Sequence, residues 1–361
     1  MHRLREVHRQ DLEALYRLAR DFDTMNLPAD RKALAQIIDR SEASFAERIE
    51  DPLRRTYLFG LEDARGRLIG TSMIFAQHGT RDAPHVFFDH YEKEHYSRTL
   101  DRYFRHPVVA IRYNYDGPTE VGGLFVSPRR RHRDKPGKQL SFVRFLYMAM
   151  HRDRFREEVI AELLPPLLPD GRSRLWEYLG KRFTGLTYQE ADKLSRENKE
   201  FIYTLFPQDE IYLTLLPKSV RKVVGQVGPD TVPVKRMLER IGFRYAQTID
   251  PFDGGPHYVA KVSELAPVRA YRRLRLGRGP LDPEHAAADA TECLVAIERR
   301  RGRPRFCAVR TLLASDGKLA YLTDAARERL GARAGTTLHV IPFNYDRGQG
   351  GSIDGSRRIQ G

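Results

Sequence analysis

The sequence is poor in cysteine and has no long apolar run. Its 361 residues include only Cys293 and Cys307, and one tryptophan. Two cysteines cannot build a disulfide framework or a cysteine-rich metal cluster, which fits a reducing compartment. No stretch approaches the ~20 consecutive apolar residues of a membrane span, and the charged beginning MHRLREVHRQ lacks the apolar core of a signal peptide. We therefore expect a cytoplasmic protein with no membrane partner and no metal.

The segment 120–145, EVGGLFVSPRRRHRDKPGKQLSFVRF, is the most informative part of the sequence. An apolar, strand-like run ends in a basic loop, residues 129–138, and a helix-period pattern follows. A helix N-terminus offers backbone N–H groups and the positive end of its dipole, which suits a pyrophosphate. The segment lacks a Walker A sequence, and one glycine does not make a dinucleotide fingerprint. The alternative is a solvated charged loop.

Seven motifs connect the chain to a known family. The 122–145 segment resembles the acyl-CoA-binding segment of the GNAT acyltransferase superfamily, and the set resembles the arginine N-succinyltransferase family. The motifs are LPAD (27–30), GGLFVSP (122–128), GKQLSFVRF (137–145), LWEYLGKRFTGL (175–186), NKEFI (198–202), GQVGPDTVP (225–233) and IGFRYAQTIDPFDGGP (241–256). The resemblance covers roughly residues 1–265. It implies an α+β fold of tandem GNAT-like units with mixed β-sheets, succinyl-CoA and L-arginine as substrates in arginine catabolism, and a homo- or hetero-oligomer.

The pattern along the chain predicts four regions. We expect a GNAT-like acyl-CoA-binding unit at 1–187 and a second, partial unit at 188–265 that completes the active site. A linker and small β-rich domain follow at 266–343, and a disordered tail at 344–361. Predicted elements include helices at 31–45, 138–155, 174–183, 188–195 and 324–330, and strands at 57–62, 68–75, 121–126, 159–164 and 211–215.

Donor binding is assigned to the best-matched motifs. The resemblance implies that the backbone around Leu124, with Phe125 and Val126, contacts the acyl-CoA. The loop and the first helical turn add further candidates, whose cationic side chains or backbone N–H groups suit phosphate. These candidates are Arg131, Gly137, Lys138 and Gln139.

Succinyl transfer to an amine requires a group that removes a proton from the amine, which is mostly protonated in neutral solution. Glu120 is the leading candidate because it opens the strand before the basic loop. Acyltransferases of the resembling superfamily often present a carboxylate from this position. The alternative is that Glu120 is exposed or pairs with an arginine.

The resemblance fails at one residue that matters for the chemistry. The family carries a proton-donating histidine in a GQVHPQT-like segment, and the matching position here is Gly228. His257, in DGGPHY, is the nearest replacement in the sequence, although an ordinary hydrogen-bonded strand histidine is the alternative. Solvent could also protonate the thiolate, whose reference pKa is ~8.5, or the chain could bind acyl-CoA without turning over arginine.

A cationic acceptor needs acidic or carbonyl partners. Asp250 and Asp253 in DPFDGGP are the leading candidates for a guanidinium, with turn capping beside Gly254 and Gly255 as the alternative. Asn26 and Ser41, near the LPAD motif, are further candidates.

The net charge of +14, from 62 basic and 48 acidic residues, leaves a rival function open. A CoA thioester accounts for the basic loop, whereas the clusters at 269–278 and 299–305 also fit solvated surface, a partner or polyanion binding. We expect a succinyltransferase. The alternatives are an N-acyltransferase for another amine such as ornithine, a catalytically altered homologue, and, less favoured, a basic nucleic-acid-binding protein.

Overall fold

The computed structural model describes residues 1–20, 27–81, 83–130, 134–195, 199–281 and 290–345. Two compact units are present: unit 1 contains residues 1–76, 121–157 and those from 261 onward, and unit 2 contains residues 77–120 and 158–260. Parallel and antiparallel strand pairs occur together with helices. The expected α+β class with a mixed sheet is therefore confirmed.

The described residues form fifteen strands. They are β1 Arg3–Glu6, β2 Thr56–Glu62, β3 Leu68–Phe75, β4 His85–Ser97, β5 Arg102–Asn114, β6 Thr119–Val126, β7 Glu158–Glu162, β8 Ile211–Tyr212, β9 Arg244–Ile249, β10 Pro256–Lys261, β11 Arg272–Leu276, β12 Thr291–Glu298, β13 Phe306–Ser315, β14 Leu319–Leu322 and β15 Thr337–Pro342.

Eleven α-helices accompany the strands in the described residues. They are α1 Leu12–Arg20, α2 Arg31–Phe45, α3 Pro136–Met150, α4 Arg174–Tyr178, α5 Gly180–Thr184, α6 Tyr188–Ser195, α7 Glu200–Leu205, α8 Lys218–Arg221, α9 Val232–Ile241, α10 Ala266–Arg269 and α11 Asp324–Leu330. Among the described residues, none of these helices combines the length and the apolarity that crossing a bilayer requires.

Unit 1 is built around strands β1, β2, β3 and β6, which are neighbours in that order. All seven residues of β2 are buried, with α2 and α3 packed against this sheet. Helix α2 begins where the Asp30 side chain accepts a hydrogen bond from the Ala33 N–H at 2.7 Å, a usual N-cap. Its apolar side chains Leu34, Ile38 and Phe45 are buried.

The C-terminal part of unit 1 is a closed five-stranded barrel. Strand β12 pairs with both β13 and β15, while β14 joins β13 to β11 and β11 returns to β15. The predicted β-rich region is present, but sequence analysis missed β11. Its arginines alternate with Leu274 and Leu276, which join the barrel core beside Cys293 and Cys307. The arginine cluster at 269–278 therefore includes a half-buried strand.

Helix α3 follows the basic loop and is shorter than expected. The prediction of 138–155 is wrong at both ends, because the helix begins at Pro136 and ends at Met150. Pro136 occupies the first helical turn, where a missing N–H costs nothing. His151 leaves the helical conformation (φ −135°, ψ 58°), and a short 3₁₀ turn follows at Arg152–Arg154.

Unit 2 contains a sheet with the order β7-β10-β9-β4-β5-β8. Strands β4 and β5 form a hairpin of thirteen residues on each side, which sequence analysis did not predict. The helix predicted at 174–183 is two helices, α4 and α5; at the start of α5, a Cβ added to Gly180 would lie 2.3 Å from the Trp176 ring. The strand predicted at 211–215 is only Ile211–Tyr212, followed by a 3₁₀ turn.

The compact units do not follow the predicted boundaries at 187 and 265. The boundaries at 187 and 265 were drawn around two predicted GNAT-like units in tandem, and this internal duplication stays a prediction. The first two residues of the predicted tail are ordered: Asn344 hydrogen-bonds to Lys138 and Glu292, and Tyr345 is buried. Residues 346–361, and residues 282–289 of the predicted linker, lie outside the described residues.

Candidate active site

Strand β6 carries the predicted base at one end and leads to the basic loop at the other. Its parallel pairing with β7 joins Thr119 to Val159 and Glu120 to Ile160. Gly123 then adopts a left-handed backbone conformation (φ +56°), and a Cβ there would lie 2.8 Å from Met73. Glycine therefore permits an irregular bend in the middle of this strand.

Glu120 is buried, with 5% of its surface exposed. Its Oε2 accepts a hydrogen bond from Nδ1 of His78 at 2.8 Å. His78 is held in turn by its backbone N–H, which donates to the Pro118 carbonyl at 2.7 Å. Of the alternatives considered for Glu120, neither solvent exposure nor pairing with an arginine describes this carboxylate; its partner is a histidine.

Three histidines converge on a second carboxylate, Glu162, the last residue of β7. The distances to Glu162 Oε1 are 3.6 Å from His78 Nε2, 3.3 Å from His85 Nε2 and 3.7 Å from His257 Nε2. All three Nε2 atoms are buried and have no hydrogen-bond partner in the described residues. Glu162 keeps 30% of its side-chain surface exposed, so one edge of this group is open to solvent. We call these four residues the histidine cluster.

The charges in the histidine cluster are unevenly distributed. Burial would lower the pKa of His78, but the charge and hydrogen bond of Glu120 outweigh burial and raise this pKa. Burial and the charge of His78 lower the pKa of His85. Burial would raise the pKa of Glu162, but the close approach of His85 Nε2, 3.3 Å away, and the charges of His257 and His78 hold it well below its ordinary value. His78 is therefore the histidine most readily protonated, beside two carboxylates.

His257 lies on β10 and joins the cluster from another strand. Its Nδ1 is 3.1 Å from Thr248 Oγ1 on the neighbouring strand β9. Burial lowers the pKa of His257 to about 3, so its imidazole is neutral at pH 7. A neutral imidazole is a poorer proton donor than the imidazolium that the predicted proton-donor role of His257 requires.

Asp250 and Asp253 cap the turn that connects β9 to β10. Asp250 Oδ1 accepts hydrogen bonds from the backbone N–H groups of Phe252 and Asp253 at 2.7 and 3.0 Å, and Asp253 Oδ1 accepts from Gly255 at 2.7 Å. Turn capping, the alternative considered for both residues, is therefore present. Burial and the charge of Glu162 raise the pKa of Asp250 to about 7.

Gly228 lies against the chain that follows β7. Its N–H donates to the Leu164 carbonyl at 2.8 Å, two residues beyond Glu162. A Cβ added at Gly228 would lie 2.9 Å from the Pro165 carbonyl oxygen. Any larger residue, the family's histidine included, therefore requires the backbone to move.

The described part of the basic loop is held by its own helix and by the barrel. The Gln139 side chain donates to the Asp134 carbonyl at 2.7 Å, and the Arg310 guanidinium donates to the same carbonyl at 3.0 Å. Lys138 Nζ is 2.9 Å from Asn344 Oδ1 and lies over the Phe343 ring. Both side chains therefore help to hold the loop, and their assignment to the donor stays a prediction. Arg131 lies outside the described residues.

The remaining candidates differ in their surroundings. Leu124 is partly exposed, whereas Phe125 and Val126 are buried. Among the described residues, a Cβ at Gly137 would meet only Val126, at 4.0 Å, so on that side the backbone is approachable. Ser41 is fully buried and its Oγ accepts from the Leu58 N–H at 2.8 Å, which excludes it as a substrate contact. Asn26 lies outside the described residues.

Sequence analysis missed His78, His85 and Glu162. Their side chains meet only after folding, because 84 residues separate His78 from Glu162 along the chain, and no short motif contains them. Two overlapping groups share Glu162: His78 with His85, and Asp250 with His257. In each group, the atoms that could bind a metal lie within 4.8 Å of one another.

Comparisons with known proteins show which family this chain resembles. The family model described as arginine N-succinyltransferase beta subunit matches residues 2–267. Arginine N-succinyltransferases of Enterobacter sp. (strain 638) and Escherichia coli O6:H1 are 32% identical over 342 residues, covering 94% of this chain and 96% of theirs. The arginine/ornithine succinyltransferase subunit AI of Pseudomonas aeruginosa has a solved structure with a TM-score of 0.80 and 29% identity, covering 95% of this chain and 99% of that one.

The fold and these relatives define an acyltransferase. The chain belongs to the arginine N-succinyltransferase family.

Proposed function

We propose that the protein transfers the succinyl group of succinyl-CoA to the α-amino group of L-arginine. The observation that carries this proposal is the buried Glu120–His78 pair at the start of β6, the strand that leads into the basic loop. A carboxylate fixed by a hydrogen bond is suited to accept an amine proton. Family membership supplies the substrate class.

The proposed reaction is a direct attack without a covalent enzyme intermediate. The amine nitrogen forms a bond to the thioester carbonyl carbon, the carbon–sulfur bond breaks, and CoA leaves as a thiolate. Glu120 accepts the proton lost by the amine, and solvent at the open edge of the histidine cluster supplies the thiolate with a proton. Burial raises the pKa of Cys293 to about 12 and that of Cys307 to about 11, so neither thiol is suited to act as a nucleophile.

We assign the donor to the strand and loop of unit 1. Backbone groups of Leu124, Phe125 and Val126 are proposed to bind the pantetheine arm, with the Gly137 N–H and the Arg131 guanidinium on the pyrophosphate. Lys138 and Gln139 support the same site by fixing the loop, as their contacts with Asn344 and Asp134 indicate. Holding both reactants in place can supply effective molarities of ~10⁵ M or more.

The acceptor is assigned to unit 2. Asp250 and Asp253 use Oδ1 in their turn, and the proposal gives their Oδ2 atoms to the guanidinium of arginine. His257 is retained as a neutral hydrogen-bonding residue beside the amine, not as an imidazolium donor. Assembly of the chain into a homo- or hetero-oligomer remains part of the proposal.

The test measures thiol release with succinyl-CoA or acetyl-CoA as donor and with arginine, ornithine, lysine or spermidine as acceptor. Arginine-dependent release with succinyl-CoA, at least tenfold above acetyl-CoA, is expected. Absence of arginine-dependent release with succinyl-CoA would sink the proposal.

Ornithine is the second candidate acceptor, because the solved relative from Pseudomonas aeruginosa is described as an arginine/ornithine succinyltransferase. The Gly228 position, which differs from the family's histidine, is a further reason to test it. A ratio of kcat/KM for ornithine over arginine above one would select this alternative. Salt-sensitive DNA binding without CoA affinity would instead favour the nucleic-acid alternative.

A further inference from the structure

We propose that the histidine cluster of unit 2 binds one divalent transition-metal ion of the Zn²⁺ class, with His78 Nε2, His85 Nε2 and the Glu162 carboxylate as ligands. These three ligand atoms lie within 4.8 Å of one another. The inference goes beyond the proposed succinyl transfer and does not depend on it.

The ligand chemistry is that of known zinc sites. Two imidazoles and one carboxylate are a frequent zinc-binding set, and three protein ligands leave a fourth position open. Zinc–ligand bonds of ~2.0–2.2 Å in a tetrahedral site separate the ligand atoms by about 3.4 Å. His85 and His78 Nε2 lie 3.3 and 3.6 Å from Glu162 Oε1, close to this separation.

The buried nitrogen atoms are the second, independent observation. His85 is 4% exposed and His257 is fully buried, yet Nε2 of each, like that of His78, has no hydrogen-bond partner in the described residues. Buried polar atoms are normally satisfied, so each unsatisfied atom requires an explanation. A metal ion bound to Nε2 of His78 and Nε2 of His85 explains those two atoms.

The outer contacts match those of metal-binding histidines. Such residues usually donate the other ring N–H to a carboxylate or another oxygen, which fixes the tautomer and ring orientation. His78 uses Nδ1 for Glu120 Oε2 at 2.8 Å, leaving Nε2 for the metal. His257, which is not one of the proposed ligands, uses Nδ1 for Thr248 Oγ1 at 3.1 Å, and its Nε2 lies 3.7 Å from the same Glu162 oxygen.

The ligands also come from separated parts of unit 2. His78 precedes β4, His85 is the first residue of β4, and Glu162 ends β7. An ion bound to them links these segments and favours the folded chain over the unfolded one by mass action. Zinc binding therefore raises the thermal midpoint, in addition to being measurable directly.

The experiment strips the full-length protein with a chelator and titrates it with Zn²⁺ against a chromophoric competitor, with Co²⁺ absorption as a second probe. We expect about one tightly bound ion per chain. His85→Gln and His78→Gln should weaken binding at least 100-fold and abolish the zinc-dependent rise in the thermal midpoint. Glu120→Gln should weaken it about 10- to 100-fold, as loss of an outer-sphere partner does.

His106→Gln is the matched control. His106 belongs to the β4–β5 hairpin and contacts Thr214 Oγ1 and the neighbouring His95 ring, away from Glu162. This variant should bind zinc like the unaltered protein. If a histidine variant does not fold by circular dichroism, Glu162→Gln, whose side chain is partly exposed, replaces it.

Three results would overturn the site: no zinc retained by the unaltered protein, binding lost only in His106→Gln, or full affinity in both His85→Gln and Glu162→Gln. None of these readouts uses turnover. Failure of the metal site and failure of the proposed succinyl transfer are therefore distinguishable.

Discussion

The basic loop of unit 1 and the histidine cluster of unit 2 present charge in different ways. The loop is contiguous in sequence, largely exposed in its described residues, and rich in cations. The cluster gathers residues from 78 to 257, is mostly buried, and is organised around a carboxylate. The proposed function thus assigns donor binding to a continuous motif, and acceptor chemistry to contacts that exist only after folding.

The most direct way to break this comparison is Glu120→Gln. If unit 2 carries the chemistry, loss of the base lowers kcat by about 10²- to 10⁴-fold while the KM for succinyl-CoA changes little. Steady-state thiol release measures both constants. Glu94→Gln, an exposed glutamate of the hairpin paired with Arg105, is the control. A kcat within threefold of the unaltered enzyme would assign the base elsewhere.

Gly228→Ala sharpens the comparison by testing how tightly unit 2 is packed next to Glu162. The added Cβ lies 2.9 Å from the Pro165 carbonyl oxygen, and overpacking against backbone costs about 1–3 kcal/mol of unfolding free energy. Gly279→Ala in unit 1, with nothing within 4 Å of its added Cβ, should be nearly neutral. Chemical denaturation compares the two variants; equal midpoints would contradict the packing argument. Gly228→His should likewise destabilise and give no gain in turnover.

Arg131→Ala tests whether the basic loop of unit 1 contributes only to succinyl-CoA binding and not to the chemical step. Loss of one phosphate contact should raise the KM for succinyl-CoA about tenfold, or ~1.4 kcal/mol, with kcat nearly unchanged. The effect should shrink at high salt because salt screens the attraction between a guanidinium and a phosphate. Arg301→Ala, in the exposed cluster at 299–305, is the control. A fall in kcat without a change in KM would assign Arg131 to the chemistry instead.

Asp63→Asn gives the smallest effect and concerns the stability of unit 1. Burial opposes ionisation, but hydrogen bonds from Arg67 and Arg65 lower the pKa of Asp63 to about 2 from 3.8. The stabilisation from the ionised form is complete above about pH 4 and is lost as the pH falls through about 2. The variant should therefore lower the free energy of unfolding by ~1 kcal/mol at pH 7. The difference in unfolding free energy between the variant and the unaltered protein should shrink as the pH falls below 4.

Urea denaturation from pH 7 to pH 2.5 measures the effect of Asp63→Asn. Asp39→Asn is the control, since that carboxylate is 60% exposed in its pair with Arg9 and exposed pairs contribute little. A stability gap that persists unchanged at pH 2.5 would show that charge is not its cause.

The sequence predicted those elements whose patterns are local. Helices α2, α6 and α11 were predicted at their observed bounds, because apolar spacing and end signals lie within each segment. The β4–β5 hairpin was missed, since much of it is exposed and its residues do not alternate between apolar and polar. Strand β11 was missed because most of its residues are arginines. The side of the strand that faces the barrel core, with Leu274 and Leu276, is evident only in the folded barrel.

The candidate site divides in the same way. Glu120, Leu124 and Gly137 became candidates through their places in motifs, and their roles stay predictions. His78, His85 and Glu162 could not be found in this way, because their significance is a set of distances among two strands and a connecting segment. Ser41 illustrates the reverse error: a hydroxyl beside a matching motif is fully buried and bonded to the Leu58 backbone.

The pairing of β1 with β13 has a consequence for synthesis of the chain. Leu4 pairs with Ala308, so β1 cannot pair with β13 until roughly 300 further residues have been translated. All of unit 2 lies before residue 261 and can emerge from the ribosome before that partner is made. Domains tend to fold as they emerge, and distant pairings form slowly. During translation, the part of the protein that bears the histidines is thus able to mature first, while the N-terminal strand stays unpaired on its β13 side until the barrel is translated.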